Sequence, residues 1–122
     1  MKQITLVILL CLMFVTCYTN HYAWKNYTNS DKIFDILNDG NYIWVATNGG
    51  LYKFNISTYQ TAFYNRANAN LPGIHINSVA KDDTGNIWIA THYNGIGCFN
   101  GMKSVNYNTK NSGLPSDEWN TK

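Results

Sequence analysis

The residues of this chain that could do chemistry lie in a few short stretches. "YIWVATNGG" (42–50) and "NIWIATHYNG" (86–95) each set a tryptophan, Trp44 or Trp88, three residues before a threonine, Thr47 or Thr91. Indole faces suit the apolar sides of sugar rings, and a threonine hydroxyl beside a base can act as a nucleophile. "DDTGN" (82–86) offers two carboxylates to a cation, and His92-Tyr93-Asn94 presents an imidazole, a phenol and an amide in a row.

Most of these readings do not survive their neighbours. The "DDTGN" stretch lacks the ligand spacing and the distal glutamate of a calcium loop, so it is expected to be a turn. His21, His75 and His92 have no spacing that brings two onto one metal, and none has a cysteine partner. No paired carboxylates, Gly-x-Ser-x-Gly elbow or phosphate loop is present. The expectation is a protein that is not an enzyme, with no catalytic residues, no metal and no cofactor.

The elements that carry these residues come in pairs. Trp44 and Trp88 are 44 positions apart, and Ile43, Ala46 and Thr47 match Ile87, Ala90 and Thr91 at the same offset. Upstream, carrying that offset through "KIFDILNDGNYIW" and "INSVAKDDTGNIW" pairs Ile36 with Ala80 and Asp39 with Asp83. Downstream, after one inserted residue, "GGLYKFN" aligns with "GIGCFNG", so Phe54 meets Phe99 and Gly50 meets Gly95. The register then slips back, pairing Tyr64 with Tyr107 and Leu71-Pro72 with Leu114-Pro115. A period near 44 residues is in the range of propeller blades.

Each unit reads as four short strands. Ile76 to Lys81 alternates apolar and polar, "DDTG" turns the chain, and "NIWIAT" is β-branched and aromatic. A glycine step leads to a third strand ending at Phe54 or Phe99, and a fourth follows at Thr61 to Tyr64 or Ser104 to Tyr107. No window has helical periodicity, so the expected class is all-β, with four-stranded antiparallel blades over residues 32–73 and 74–115. "YAWKNYTNSD" (22–31) resembles the tail of a preceding unit, with Trp24 and Tyr27 in its fourth strand, and "LPSDEWNTK" stops where a further first strand begins. Two full blades with partial ones leave sheet faces uncovered, so the partners expected are further blades or another copy of the chain.

Composition agrees with a small packed domain. The chain has 122 residues, 45% hydrophobic and 13% charged, with a formal net charge of +2. Its nine lysines and arginines are scattered, so nucleic acid is discounted as a partner. "MKQITLVILLCLMFVTC" reads as a charged n-region and a short apolar core, a secretory signal over residues 1–19. The apolar run is shorter than the roughly 20 residues of a membrane span. Contact with a membrane is expected only through that signal or through a lipid on Cys17, although Phe14, Val15 and Thr16 make a poor lipobox. Cys98 is then a lone thiol, read as a small buried hydrophobe.

The ordered recurrence of Trp, Thr, Gly and Leu-Pro resembles one family. "DDTGNIWIAT", "DGNYIWVAT", "GGLYKFN" and "NSGLPSD" look like the two-component regulator propeller repeat, over residues 22–119. The resemblance implies blades of a seven-bladed propeller in the periplasmic sensor half of hybrid histidine kinases of Bacteroidetes. It implies a non-catalytic sensor segment, exported to the periplasm or cell surface and responding to extracellular carbohydrate. The alternative is a secreted or surface-attached structural propeller used for protein interaction or carbohydrate adhesion. The family's kinase has no counterpart in these residues.

Within this frame Trp44, Thr47, Gly50, Trp88, Thr91 and Gly95 are expected to serve the repeat. The tryptophans wedge blade against blade, and the threonines satisfy strand-end backbone groups. His92, Tyr93 and Asn94 stand in the inserted segment that the repeat does not need. Loops on a rigid scaffold are where binding residues concentrate, so these three are the candidate ligand contacts, for an oligosaccharide.

Overall fold

Alternating side chains and glycine-bearing turns fold each repeat into a four-stranded antiparallel meander. β1 (Ile33–Asp39), β2 (Tyr42–Thr47), β3 (Leu51–Asn55) and β4 (Thr61–Tyr64) form one sheet in chain order. β5 (Ile76–Lys81), β6 (Ile87–Thr91), β7 (Ile96–Phe99) and β8 (Ser104–Tyr107) form the second. The computed structural model describes Gln3 and residues 32–119. The rest of residues 1–19, where a secretory signal is expected, and with it Cys17, as well as His21, Trp24 and Tyr27, lie outside the described residues. Among residues 32–119 the class is all-β, with one exception. α1 (Arg66–Ala69) is a single helical turn, whose cap Asn65 accepts from the Ala67 and Asn68 amides while Asn68 accepts from the Asn65 amide. Four residues are too few to leave a periodic signal in the sequence.

The pairing register corrects one part of the repeat alignment. Leu37 lies opposite Trp44 and Ala80 opposite Trp88, so Leu37, not Ile36, is the counterpart of Ala80. Asp39 correspondingly matches Asp82 rather than Asp83, and both carboxylates take the indole N–H of their unit's tryptophan, at 3.5 Å from Trp44 and 2.8 Å from Trp88. The extra residue of the second unit sits in the turn. Gly40 and Asn41 link β1 to β2, and the corresponding turn at Asp83-Thr84-Gly85 is one residue longer.

That second turn is built by the Asp82 carboxylate. It accepts from the Thr84 amide and hydroxyl, the Asn86 amide and the Trp88 indole at 2.7 to 2.9 Å. These bonds, the Thr84 hydroxyl first and Trp88 next, hold its carboxyl well below the usual range. The acceptor is occupied by its own loop, the arrangement of an Asx turn.

The two sheets pack face to face, with β5 against β1 and β2. Trp44, Ala46 and Leu51 from the first sheet meet Ile76, Val79, Ile87, Ile89 and Phe99 from the second, with Ala69 and Leu71 of the connection in the same cluster. Phe99 is fully buried, edge-on to Trp44 at 6.1 Å between centroids and tilted against Tyr64 at 4.8 Å. At the inner edge of this seam Asp35 reaches across, accepting from the Ser78 hydroxyl at 2.8 Å and the Val79 amide at 2.9 Å. It thereby occupies a strand-edge donor that sheet pairing leaves free. The Lys81–Asp39 ion pair, also across the seam at 2.5 Å, is exposed and contributes little.

The two tryptophans occupy equivalent strand positions in unlike surroundings. Trp44 is 3% exposed, inside the seam, whereas Trp88 is 37% exposed on the far face of the second sheet. Cys98, directly across from Trp88 on β7, is half-buried on that far face rather than in the core, and what burial it has raises its thiol pKa.

Candidate functional site

An antiparallel meander puts the start of its first strand beside the end of its second: Ile76 pairs with Thr91 as Ile33 pairs with Thr47. The segment entering β5 and the loop leaving β6 therefore share one rim. The loop is anchored by Thr91, whose buried hydroxyl donates to Gly95 O at 2.8 Å and accepts from the Asn94 amide at 3.0 Å. Thr47 does the same in the first unit, donating to Gly50 O at 2.9 Å and accepting from the Gly49 and Gly50 amides. Both hydroxyls are saturated by backbone.

From this anchor the inserted residues turn toward the seam. The His92 amide donates to His75 O at 3.0 Å, and the His92 ring stacks on the His75 ring with centroids 5.0 Å apart. Phe34, at the start of β1, packs tilted on His75 at 4.6 Å, and Tyr93 meets His92 edge-on at 3.9 Å. Phe34, His75, His92 and Tyr93 thus form a ladder of rings that crosses from one blade to the next. Asn77, almost fully buried, places its amide 3.2 Å from His92 Nδ1 and donates to Trp119 O, and the Trp119 amide donates to His92 O. The Lys32 ammonium lies over the Phe34 ring at 5.1 Å.

Of the sequence candidates, Tyr93 is 64% exposed at the end of the ladder, Asn94 is exposed beside it, and His92 is half-buried. Phe34, His75 and Asn77 were not among the candidates. The strand pairing that joins them was available in the repeat, because position 75 precedes β5 and position 92 follows β6. The two histidines do come together, as a stack of rings. Among the described residues no group of three or more His, Cys, Asp or Glu side chains could hold a metal ion.

Burial, then the neighbouring His92, then Lys32 lower the His75 pKa below its ordinary 6.5, so its neutral ring is favoured in the fold. The unfolded chain therefore binds the proton first on acidification, and stability falls as pH drops from about 6.5 toward the depressed folded value. Urea unfolding at stepped pH should show this loss, and His75→Phe should flatten it. An equal slope in the variant would remove His75 from the ladder's energetics.

Residues 70–93, from the C-cap of α1 to Tyr93, match the family model described as two component regulator propeller. Over those residues the chain is similar to a two-component regulator propeller repeat. The matched residues hold Leu71-Pro72, all of β5 and β6, and three of the four rings of the ladder, His75, His92 and Tyr93. Two solved structures share the propeller-repeat fold, both extracellular domains from B. thetaiotaomicron. One, of BT3049, named as a hybrid two component system, superposes with a TM-score of 0.65 at 24% identity over 72% of this chain and 12% of its own. The other, of BT4673, named as a one component system, gives 0.58 at 17% identity over 62% of this chain and 10% of its own. The chain thus spans about a tenth of either domain. No curated protein matches its sequence. Among the described residues, no helix is long and apolar enough to cross a membrane.

Proposed function

We propose that this chain is a non-catalytic, exported segment of a sensor propeller that recognises an extracellular carbohydrate at the Phe34–His75–His92–Tyr93 rim. The observation that carries the reading is the ring ladder itself. It presents the exposed ring and phenol of Tyr93 and the Asn94 amide, backed by the packed rings of His92, His75 and Phe34, at a position where the repeat requires no insertion. Apolar ring faces flanked by a few polar groups suit a pyranose ring, which has an apolar side and a hydroxyl-bearing edge. The likeness to extracellular domains of signalling systems supports the location outside the cytoplasm and the sensory role. Kinase output belongs to other parts of such systems and is not assigned to these residues.

Titration calorimetry with a panel of polysaccharide-derived oligosaccharides tests this. One class of fragment should bind, and Tyr93→Ala should weaken it at least tenfold. Its melting temperature should hardly move, since exposed loop substitutions usually change stability by less than about 0.5 kcal/mol. Unchanged binding by Tyr93→Ala would place the ligand elsewhere.

A further inference from the structure

Strand pairing sets Tyr42 opposite Asn55, Trp44 opposite Lys53 and Lys53 opposite Ala62, so these side chains share the face of the first sheet that meets the second. It is an internal face, between two blades the chain itself holds. Phe99 covers Trp44 and Tyr64 there and β5 packs against β1 and β2, but toward the β3–β4 turn a pocket of about 260 Å³ stays open, lined by residues that include Tyr42, Lys53, Asn55, Gln60, Ala62 and Tyr64. It lies at the opposite end of the strands from the His92 loop. The Lys53 ammonium sits 3.9 Å from the centroid of the Tyr42 ring and 5.0 Å from that of Trp44. Aromatic faces hold a cation in place without neutralising it. Asp39 gives one oxygen to Lys81 and the other to the Trp44 indole, so among the described residues Lys53 has no ion-pair partner. Asn55 is oriented too: its Oδ1 accepts from the Ser57 and Thr58 amides at 2.9 and 3.0 Å, which leaves its NH2 as the end that can donate. The repeat does not require this set. In the second unit Cys98 stands opposite Trp88 where Lys53 stands opposite Trp44, and Asn86 and Val105 take the places of Tyr42 and Ala62.

We propose that this pocket binds a small monocarboxylate carried on a single ring, at a site separate from the Tyr93 rim. Lys53 meets the carboxylate, the Asn55 amide donates to its second oxygen, and the ring packs against Tyr42 and Tyr64. One unpaired ammonium balances one negative charge, whereas a dianion such as phosphate calls for a second cation, and Lys81 is already committed to Asp39. The charge therefore selects a carboxylate. The volume falls below the roughly 300–1,000 Å³ of pockets for drug-sized ligands, which suits one ring rather than a chain of them.

NMR titration of the full chain with cyclohexanecarboxylate, D-glucuronate and D-glucose tests the proposal. At least one of the two acids should shift Tyr42, Lys53, Asn55 and Ala62 saturably, and D-glucose should not. Binding of D-glucuronate alone identifies the ring as a sugar acid, binding of cyclohexanecarboxylate alone as an apolar acid, and either supports the site. Lys53→Met, which keeps most of the stem on Trp44 and removes the charge, should weaken the acid at least tenfold, while Lys53→Arg should bind within a few-fold of the wild type. Tyr93→Ala should bind the acid as the wild type does, so failure here and failure of the rim reading are told apart. Circular dichroism checks that Lys53→Met is folded. Should it not be, Asn55→Asp keeps the oxygen that accepts from the Ser57 and Thr58 amides, replaces the donor by a like charge, and should show the same loss. The proposal is overturned if neither acid moves these resonances, if D-glucose moves them equally, or if the folded variant binds the acid as tightly as the wild type.

Discussion

Trp44→Ala is expected to destabilise the chain by about 3–5 kcal/mol, the range for emptying a buried aromatic site. A domain of this size has only about 5–15 kcal/mol in total, so the variant should be close to unfolded at room temperature. The loss comes from the seam, where Trp44 packs on Phe99 and beside Tyr64 and is 3% exposed. Trp88→Ala, at the same position of the repeat, should cost much less in the monomeric chain, because Trp88 is 37% exposed and contacts Tyr107 and Asp82 within its own blade. Urea unfolding of both variants at low protein concentration makes the comparison. Equal losses would mean that the Trp88 face is covered as fully as the Trp44 face, contrary to the packing described above.

Gly95→Ala should rank close behind. Gly95 has φ +77°, a backbone that costs an L residue about 1–2 kcal/mol, and a Cβ there would run into the Tyr107 carbonyl and the Asn108 Cα. Relieving that collision must shift β8 or the loop, adding about 1–3 kcal/mol by the usual cost of overpacking. It would also disturb the Thr91 hydroxyl bond to Gly95 O, and with it the anchor of the His92 loop. Gly85→Ala is the control. Its φ is +92° but a Cβ would have nothing within 4 Å, so only the backbone cost applies. Thermal unfolding should place Gly95→Ala well below Gly85→Ala, and coincident melting temperatures would contradict the close approach.

The same residues explain how far the sequence could be read. Strand order and most strand ends follow from local signals. Alternation in "INSVAK", β-branched density in "NIWIAT" and glycines at the steps place every strand of the second unit, and the repeat carries them to the first. The one-residue shift between Asp39 and Asp82 was hidden because "DGN" and "DDTGN" make turns of different length, and alignment from the tryptophans carries the wrong offset across them. The half-exposure of Trp88 and Cys98 was not legible either. Identical strand patterns in two blades say nothing about which face has a neighbour. The rim was half legible: the insertion marked His92, Tyr93 and Asn94, while Phe34, His75 and Asn77 lie in regular repeat positions and join them only through strand pairing.

The most direct test of the functional account is a nitrogen-detected NMR titration of the folded chain with the oligosaccharide that binds in calorimetry. Shift changes should be concentrated on His75, Asn77, His92, Tyr93 and Asn94, with Trp88 and Tyr107 unmoved. Changes centred on the Trp88–Tyr107 pair, or a panel in which no fragment moves any rim resonance, would contradict the account.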